Sequence, residues 1–143
     1  MPDIFHNFPI KGSANKVFEA ITTAEGLNSW WSESCQATPG HHAIYNFGFG
    51  PGYEWSAISS RYEPGREFEL RFTNADADWL NTRVGFRLNE SDGVTEVRFH
   101  HLGWPQQNDH YEISCFCWAM YLRHLKLFVE NGAVVPYKIR LDV

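Results

Sequence analysis

The sequence has little of what would mark a membrane, secreted or nucleic-acid-binding protein. Its longest apolar run, residues 115–122, is far shorter than the roughly 18 residues of a membrane span. Three cysteines are too few for a disulfide framework, and the 12 lysines and arginines form no cluster in a chain of net charge −5. The N-terminal residues lack the charged head and apolar core of a signal peptide. We therefore expect a cytoplasmic protein with no membrane span and no nucleic-acid partner.

Aromatic residues are abundant instead. Eleven Phe, six Tyr and six Trp make up 16% of 143 residues, a length that predicts one domain over residues 1–143 with a substantial core. A small domain rarely needs so many rings for packing alone. The excess indicates an aromatic-lined cavity, a large interface or a heavily aromatic core, and composition leaves these three alternatives open.

The periodicity of apolar residues predicts an α+β order of elements. Residues 4–10 alternate as a strand, Ser13 is a helix cap for residues 13–21, and residues 22–25 have the form of a capping box that begins a second helix ending near Trp30. Further strands are predicted at residues 43–47, 55–62, 68–72, 84–88 and 94–102.

A long helix is predicted at residues 109–131, capped at its start by Asn108 or Asp109 and at its end by Gly132. Its apolar side chains fall on two sides. One side has Ile113, Phe116, Cys117, Met120, Leu127 and Phe128, and the other has Trp118, Leu122, Leu125 and Val129. So wide an apolar arc predicts a helix that is buried on more than one side, against the sheet and against loops or a partner subunit.

Two adjacent histidines end the last predicted strand. Successive side chains on a strand point to opposite faces. His101 therefore continues the inward face of Val97 and Phe99, whereas His100 continues the face of Glu96 and Arg98 toward solvent. We expect the two imidazoles to lie on opposite faces of the sheet, where they cannot hold one metal ion together.

The ordered set of motifs resembles the helix-grip fold of the START-like, or SRPBCC, superfamily. Its local residues are similar to the AHSA-like branch, named after the activator of a heat-shock chaperone ATPase. The pieces that carry the resemblance are VFEAIT at residues 17–22, Leu27, Trp30, Trp31, Pro39, Gly40, EPGREF at residues 63–68, GVTEV at residues 93–97, HLGW at residues 101–104, Trp118, Leu122 and Leu125. Together they span nearly the whole chain in the expected order.

The resemblance implies an antiparallel sheet of about seven strands, curved around the C-terminal helix with a cavity between them, and two short helices after the first strand. Members of the superfamily bind lipids, hormones and other apolar molecules, and some are cyclases or hydroxylase subunits. This sequence departs from the family pattern at His41, where a second glycine usually follows Pro39 and Gly40. Its glycine-rich turn at residues 48–52 is also distinctive.

The inward aromatic residues are the predicted ligand-binding set. They are Trp31, Tyr45, Phe47, Phe72, Phe86, Phe99, His101, Trp104, Trp118 and Leu122. Apolar walls with a few polar groups are typical of small-molecule sites, and His101 would be the polar anchor. The competing interpretation is that these rings fill the space under the sheet and that a hydrogen bond within the core satisfies His101.

The sequence predicts neither a metal site nor a cofactor. Histidines occur as the adjacent pairs His41–His42 and His100–His101, not at ligand spacing on a helix. Cys115 and Cys117 are two residues apart on a helix, so that their sulfurs diverge. No nucleophile elbow, phosphate loop or dinucleotide fingerprint is present.

Three functions are therefore open. We favour the binding of a small apolar or aromatic molecule. The first alternative is a protein-interaction module, either a homodimer or a chaperone-associated protein, which the wide apolar arc of the final helix supports. The second is a cyclase- or dehydratase-like enzyme with His101 as acid and base. We rank the enzymatic role last of the three, because the sequence shows no second catalytic group.

Overall fold

Seven antiparallel strands form one curved sheet that holds a long helix against its concave face. The structure is a computed structural model and describes residues 2–142. The strands are β1 (Ile4–Lys11), β2 (Ser34–Gln36), β3 (Ile44–Gly48), β4 (Glu54–Glu63), β5 (Glu67–Asn74), β6 (Arg83–Ser91) and β7 (Val94–Leu102). The helices are α1 (Ala14–Thr22), α2 (Ala24–Trp30) and α3 (Asp109–Asn131), followed by a 3-10 turn (Tyr137–Ile139). This is the predicted α+β helix-grip arrangement, and the prediction is confirmed.

The sheet has the order β1-β7-β6-β5-β4-β3-β2. Strands β2 to β7 are sequential neighbours, and β1 joins the sheet beside β7, with Ile4 paired to His101 and Lys11 to Val94. Alternating side chains therefore point to one concave and one convex face. The core lies on the concave face, where large side chains such as Tyr45, Phe68 and Phe99 are fully buried.

Capping residues define the starts of the two short helices. The hydroxyl of Ser13 accepts a hydrogen bond from the Lys16 amide, as predicted. The second cap is Thr23, which accepts from the Gly26 amide, and the predicted capping box at residues 22–25 is wrong by one residue. The reason is that Thr22 is still helical and donates to the carbonyl of Phe18.

The long helix α3 buries one side and leaves the other uncovered. Asn108 caps its start, and Gly132 ends it with a φ of 69°, a left-handed conformation that favours glycine. Trp118, Leu122, Leu125 and Val129 are buried against the sheet and the short helices. Ile113, Phe116 and Leu127 are exposed, so the predicted burial of both sides is wrong for this flank within one protomer.

Two short elements were not predicted. Strand β2 has only three residues, too few to show a periodicity, and its pairing with β3 at Cys35 and Phe47 defines it. The turn Tyr137–Ile139 leads to Arg140, whose buried guanidinium donates to the carbonyls of Asn28, Ser32 and Val135. Within residues 2–142, no helix is long and apolar enough to cross a membrane.

Candidate functional site

His101 is fully buried on the concave face and uses both ring nitrogens. Nδ1 accepts a hydrogen bond of 3.1 Å from Nε1 of Trp118, which comes from α3. An accepting Nδ1 leaves the proton on Nε2, and Nε2 lies 2.9 Å from Oγ1 of Thr82. The Thr82 hydroxyl in turn donates to the carbonyl of Trp79 over 2.6 Å. In this series of hydrogen bonds, Trp118 donates to His101, His101 donates to Thr82, and Thr82 donates to the Trp79 carbonyl. It therefore fixes the neutral tautomer with the proton on Nε2.

The surroundings of His101 favour its neutral form. Burial, with smaller effects from the charges of His100 and His110, lowers the pKa of His101 to about 3. A neutral imidazole with both nitrogens engaged is suited to orienting a neighbouring group. It does not favour the acid and base role that the enzymatic alternative gave to this residue.

Three tryptophans surround the imidazole. Ring centroids of Trp79, Trp104 and Trp118 lie 4.5, 5.0 and 6.0 Å from that of His101. Trp79 and Trp118 also stack on each other at 5.9 Å. The imidazole of His101 therefore lies inside a cage of indole rings from the loop between β5 and β6, the segment after β7, and α3.

Two of these indoles carry unsatisfied donors. Among residues 2–142, Nε1 of Trp79 and Nε1 of Trp104 are buried without a hydrogen-bond acceptor. A buried donor without a partner costs about 1–3 kcal/mol relative to a paired one. Native structures rarely retain such groups without a reason. Both donors belong to rings that pack against His101.

The predicted aromatic wall surrounds this cage, although not all ten residues meet there. Trp31 lies 5.0 Å from both Trp118 and Phe47 by ring centroids, and Phe99 lies 4.6 Å from Trp118. Phe72 packs on Trp79 at 5.2 Å. Of the other three predicted residues, Phe86 packs on Phe99 at 5.3 Å, Tyr45 stacks on Phe47 at 6.1 Å, and Leu122 lines a groove beside β1.

The missed member of the cage is Trp79, which lies in the loop between β5 and β6. The sequence signal for it was present, because Trp79 and Leu80 are the only large apolar residues in the polar loop of residues 75–82. Asp78 ties this loop to the start of α3 through Asn108 and through Nδ1 of His110, 3.0 Å away. Those two hydrogen bonds hold the pKa of the Asp78 carboxyl below its usual range.

Open cavities lie elsewhere on the surface. One of about 450 Å³ separates α1 and α2 from the end of α3, and one of about 350 Å³ lies between β1 and α3. Three more, of about 380 to 640 Å³, lie on the convex face and the β2 edge of the sheet. Within residues 2–142, none of these five is lined by His101, Trp104 or Trp118, whose rings pack against one another.

His100 is the clearest correction to sequence analysis. It points to the convex face, as alternation requires, yet only 9% of it is exposed, and its Nε2 lies 2.8 Å from Oε2 of Glu69. Glu69 lies between the inward-facing Phe68 and Leu70 on β5, so that it also points to the convex face, and it is also buried. Neither partner could be found from local pattern, because they are 31 residues apart and on strands separated by β6.

The cysteines and metal-ligating groups have no further site among them. Cys35 is buried in β2, and Cys115 and Cys117 are half-buried on α3. Over residues 2–142, no group of three or more His, Cys, Asp or Glu side chains converges to hold a metal ion.

Comparison with known proteins supplies the family. Residues 11–130 match the family described as activator of Hsp90 ATPase homolog 1-like protein. The chain belongs to this family. The resemblance predicted from the ordered motifs is thereby confirmed, since the matched region runs from the end of β1 to the end of α3. A search of curated proteins found no match.

Solved structures share the fold of this member of the Hsp90 ATPase activator homolog family. The Aha1 dimer from Colwellia psychrerythraea is 28% identical, with 92% of this chain and 98% of that chain covered at a TM-score of 0.83. A protein from Mesorhizobium loti is 17% identical over 93% of this chain and all of that chain, with a TM-score of 0.81. A protein from Staphylococcus saprophyticus is also 17% identical, with 94% of this chain and 96% of that chain covered at a TM-score of 0.77. The last two likenesses concern the fold alone.

Proposed function

We propose that the protein binds a small apolar or aromatic molecule that carries one hydrogen-bond acceptor, in the cage around His101. The observation that carries this proposal is the pair of buried, unpaired indole donors on Trp79 and Trp104. A carbonyl, ether or ring nitrogen on the ligand would satisfy them. The aromatic rings around the cage would supply the apolar contact area of a typical small-molecule site.

The binding event requires the Trp79 loop to move. The rings under the sheet are packed together, so a ligand enters only by displacing one of them. Trp79 is the suitable ring because it lies in the loop between β5 and β6 and is 7% exposed, whereas Trp104 is fully buried and Trp118 lies on α3. We infer that the contacts of Asp78 with His110 and Asn108 hold the loop closed and break when the ligand enters.

Native mass spectrometry of protein purified gently from its own host is the first test. We expect an added mass that leaves on denaturation, and lower occupancy in Trp104→Phe, which keeps a ring but removes the donor. Trp55→Phe is the matched control, because Trp55 is only partly buried and its ring pairs with Trp79 but not with His101. Equal occupancy in wild type, Trp104→Phe and Trp55→Phe would contradict a role of the indole donors in binding. The absence of any added mass in all three proteins would contradict the presence of a ligand.

A pair of probes tests the role of the acceptor directly. We expect 2-acetylnaphthalene to shift the indole N–H signals of Trp79 and Trp104 in NMR spectra. The hydrocarbon 2-ethylnaphthalene, which lacks the carbonyl, should bind about tenfold more weakly. The indole signal of Trp30 is an internal control, because its Nε1 already donates to the Ala20 carbonyl over 2.9 Å. Equal binding of the two compounds would contradict an acceptor-directed site.

A homodimer is the second candidate function. It is supported by the dimeric Colwellia psychrerythraea relative and by the uncovered apolar flank of α3, formed by Ile113, Phe116 and Leu127. Light scattering should then give twice the protomer mass, and Phe116→Asp should halve it. Phe5→Asp is the matched control, because Phe5 is equally exposed but lies on the convex face of the sheet. A monomeric wild type, or a dimer that Phe116→Asp leaves intact, would contradict this interface.

The remaining alternatives have less support. The family description suggests a chaperone ATPase as a partner, and the exposed α3 flank is the surface we would test for it. An enzymatic role for His101 is not favoured by its neutral imidazole, in which both nitrogens are already hydrogen-bonded.

Three free thiols fit a reducing compartment, and we propose that the protein is located in the cytoplasm.

A further inference from the structure

The convex face of the sheet has a depression above Gly85. In the pairing of β5, β6 and β7, Gly85 stands directly between Glu69 and His100. Because Gly85 has no side chain, the His100 ring lies across β6 and reaches the carboxylate two strands away. A Cβ at Gly85 would collide with Nε2 and Cε1 of that ring. Gly85 is not among the residues with positive φ, so space, not backbone conformation, is what requires glycine here.

The floor of the depression is the buried, hydrogen-bonded pair of Glu69 and His100. One carboxylate oxygen of Glu69 lies 2.8 Å from His100, and the other accepts from the hydroxyl of Ser60 over 2.8 Å. Burial would raise the pKa of Glu69, but the hydrogen bonds from His100 and Ser60, with the charges of His100 and Arg83, hold it below its usual range. The carboxylate is therefore ionised, covered, and engaged at both oxygens.

Three arginines stand around this floor. Arg83 and Arg87 flank Gly85 on β6, and Arg98 flanks His100 on β7 directly opposite Arg87. A second like-charged pair, Arg71 opposite Arg83, joins β5 and β6. Like charges directly opposite each other destabilise a sheet. Two such pairs beside one glycine indicate a requirement other than stability.

Most N–H donors of these three guanidinium groups are not used in contacts within residues 2–142. The side chains of Arg83, Arg87 and Arg98 are 47%, 68% and 66% exposed. Arg83 is 3.8 Å from Glu69, Arg87 is 3.0 Å from Glu67, and Arg98 is 3.3 Å from Glu96, so each makes at most one short ionic contact. A guanidinium offers five N–H donors, and most of those on the three arginines remain available.

The cavity over these residues has about 400 Å³ and a mixed lining. It contains four arginines and two glutamates, a formal excess of positive charge in a chain whose net charge is −5. Phe5, directly opposite His100 on β1 and 65% exposed, forms an apolar wall together with Leu102. Charge and shape therefore favour an anionic group carried on a short apolar body.

We propose that the depression over Gly85 binds a small organic anion, with Arg83, Arg87 and Arg98 donating to its phosphate or carboxylate group and Phe5 packing on its apolar part. Planar guanidinium groups bind both kinds of oxyanion with two parallel hydrogen bonds. The site lies on the opposite face of the sheet from the cage around His101. The two proposals are thus independent.

The site is tested by NMR titration of the protein with three compounds, with the ionic strength held constant by sodium chloride. Phenyl phosphate, benzoate and inorganic phosphate separate the kind of oxyanion from the contribution of the apolar body. We expect phenyl phosphate to shift the amide signals of Gly85, Arg87 and Arg98 and to bind about tenfold more tightly than inorganic phosphate. If benzoate binds more tightly than phenyl phosphate, the site is specific for carboxylates.

Matched variants separate a built site from general electrostatics. Arg98→Gln should weaken phenyl phosphate about tenfold, whereas Arg123→Gln, an exposed arginine on α3, should change it by less than about twofold. Arg98→Lys keeps the positive charge but removes the planar guanidinium that can donate two parallel hydrogen bonds. We therefore expect a loss of affinity between those of wild type and Arg98→Gln. Phe5→Ala should remove the preference for phenyl phosphate over inorganic phosphate.

Two results would overturn the proposal. One is equal weakening by Arg98→Gln and Arg123→Gln, which would mean a diffuse charge effect. The other is unchanged binding in Arg98→Lys and Arg98→Gln, both checked as folded by circular dichroism. Binding that Trp104→Phe alone abolishes would place the anion in the His101 cage and would equally contradict a site on the convex face.

Discussion

Trp118 and His101 are joined by a hydrogen bond in which the indole Nε1 donates to Nδ1 of the imidazole over 3.1 Å. The bond connects α3 to the last strand of the sheet inside the core. It also determines that the imidazole proton is on Nε2, where Thr82 accepts it. One contact thus sets both the position and the protonation state of His101.

The pH dependence of stability follows from this buried, neutral histidine. The pKa of His101 is about 3 in the folded protein against 6.5 as its ordinary value. Below pH 6.5 the unfolded chain takes up a proton that the folded protein does not bind, so stability falls from there toward pH 3. Between pH 7 and pH 5 this one group should lower the free energy of unfolding by about 2 kcal/mol, as measured by urea denaturation.

The variant His101→Asn checks the assignment. It should be less stable than wild type at pH 7, yet the difference should shrink as the pH falls to 5. His41→Asn changes an exposed histidine and should follow the wild-type curve. Parallel curves for wild type and His101→Asn would mean that another group causes the acid sensitivity.

Tyr45→Phe is predicted to destabilise the fold without changing its shape. The fully buried Tyr45 hydroxyl donates to the Thr22 carbonyl at the end of α1 over 2.6 Å, and the substitution leaves that carbonyl unpaired. We expect a loss of about 1–2 kcal/mol in thermal or urea unfolding. Tyr53→Phe is the control, because Tyr53 is 50% exposed, and a similar loss there would contradict the argument.

Gly85→Ala should destabilise the protein because it separates His100 from Glu69. The loss of this buried hydrogen bond to a carboxylate, together with the steric clash of the new Cβ, should cost about 2–3 kcal/mol. Gly40→Ala provides the contrast, because no atom lies within 4 Å of a Cβ there and its φ is not positive. That variant should be unchanged or more stable by about 0.5 kcal/mol. Equal effects at the two glycines would remove the steric argument.

Arg140→Met should release the C-terminal segment. The Arg140 guanidinium donates to the carbonyls of Val135, Ser32 and Asn28, the last two at the end of α2, and its own carbonyl is 2.6 Å from Nε2 of His124. We expect a loss of about 2–3 kcal/mol and faster cleavage by chymotrypsin at Tyr137. Lys138→Met alters an exposed neighbour, and it should leave the cleavage rate at the wild-type value.

Local pattern predicted much of the fold and part of the site. The alternation of Val97, Phe99 and His101 correctly predicted the face of β7 that is buried, and the caps at Ser13, Asn108 and Gly132 are where the residue types indicated. The same alternation suggested solvent around His100. That inference was wrong because alternation gives the face of a side chain, whereas Gly85 and Glu69 decide whether it is buried.

The sequence by itself determined the order of the longer elements, the inward faces of β3, β5, β6 and β7, and the family. The elements and faces follow from backbone geometry that repeats every two or 3.6 residues. Only the tertiary structure decided which side chains meet. His101 finds Thr82, Trp79 and Trp118, and His100 finds Glu69, across 17 to 31 residues of chain. Such contacts depend on the register of distant strands and on the space left by neighbours such as Gly85. No local periodicity records them.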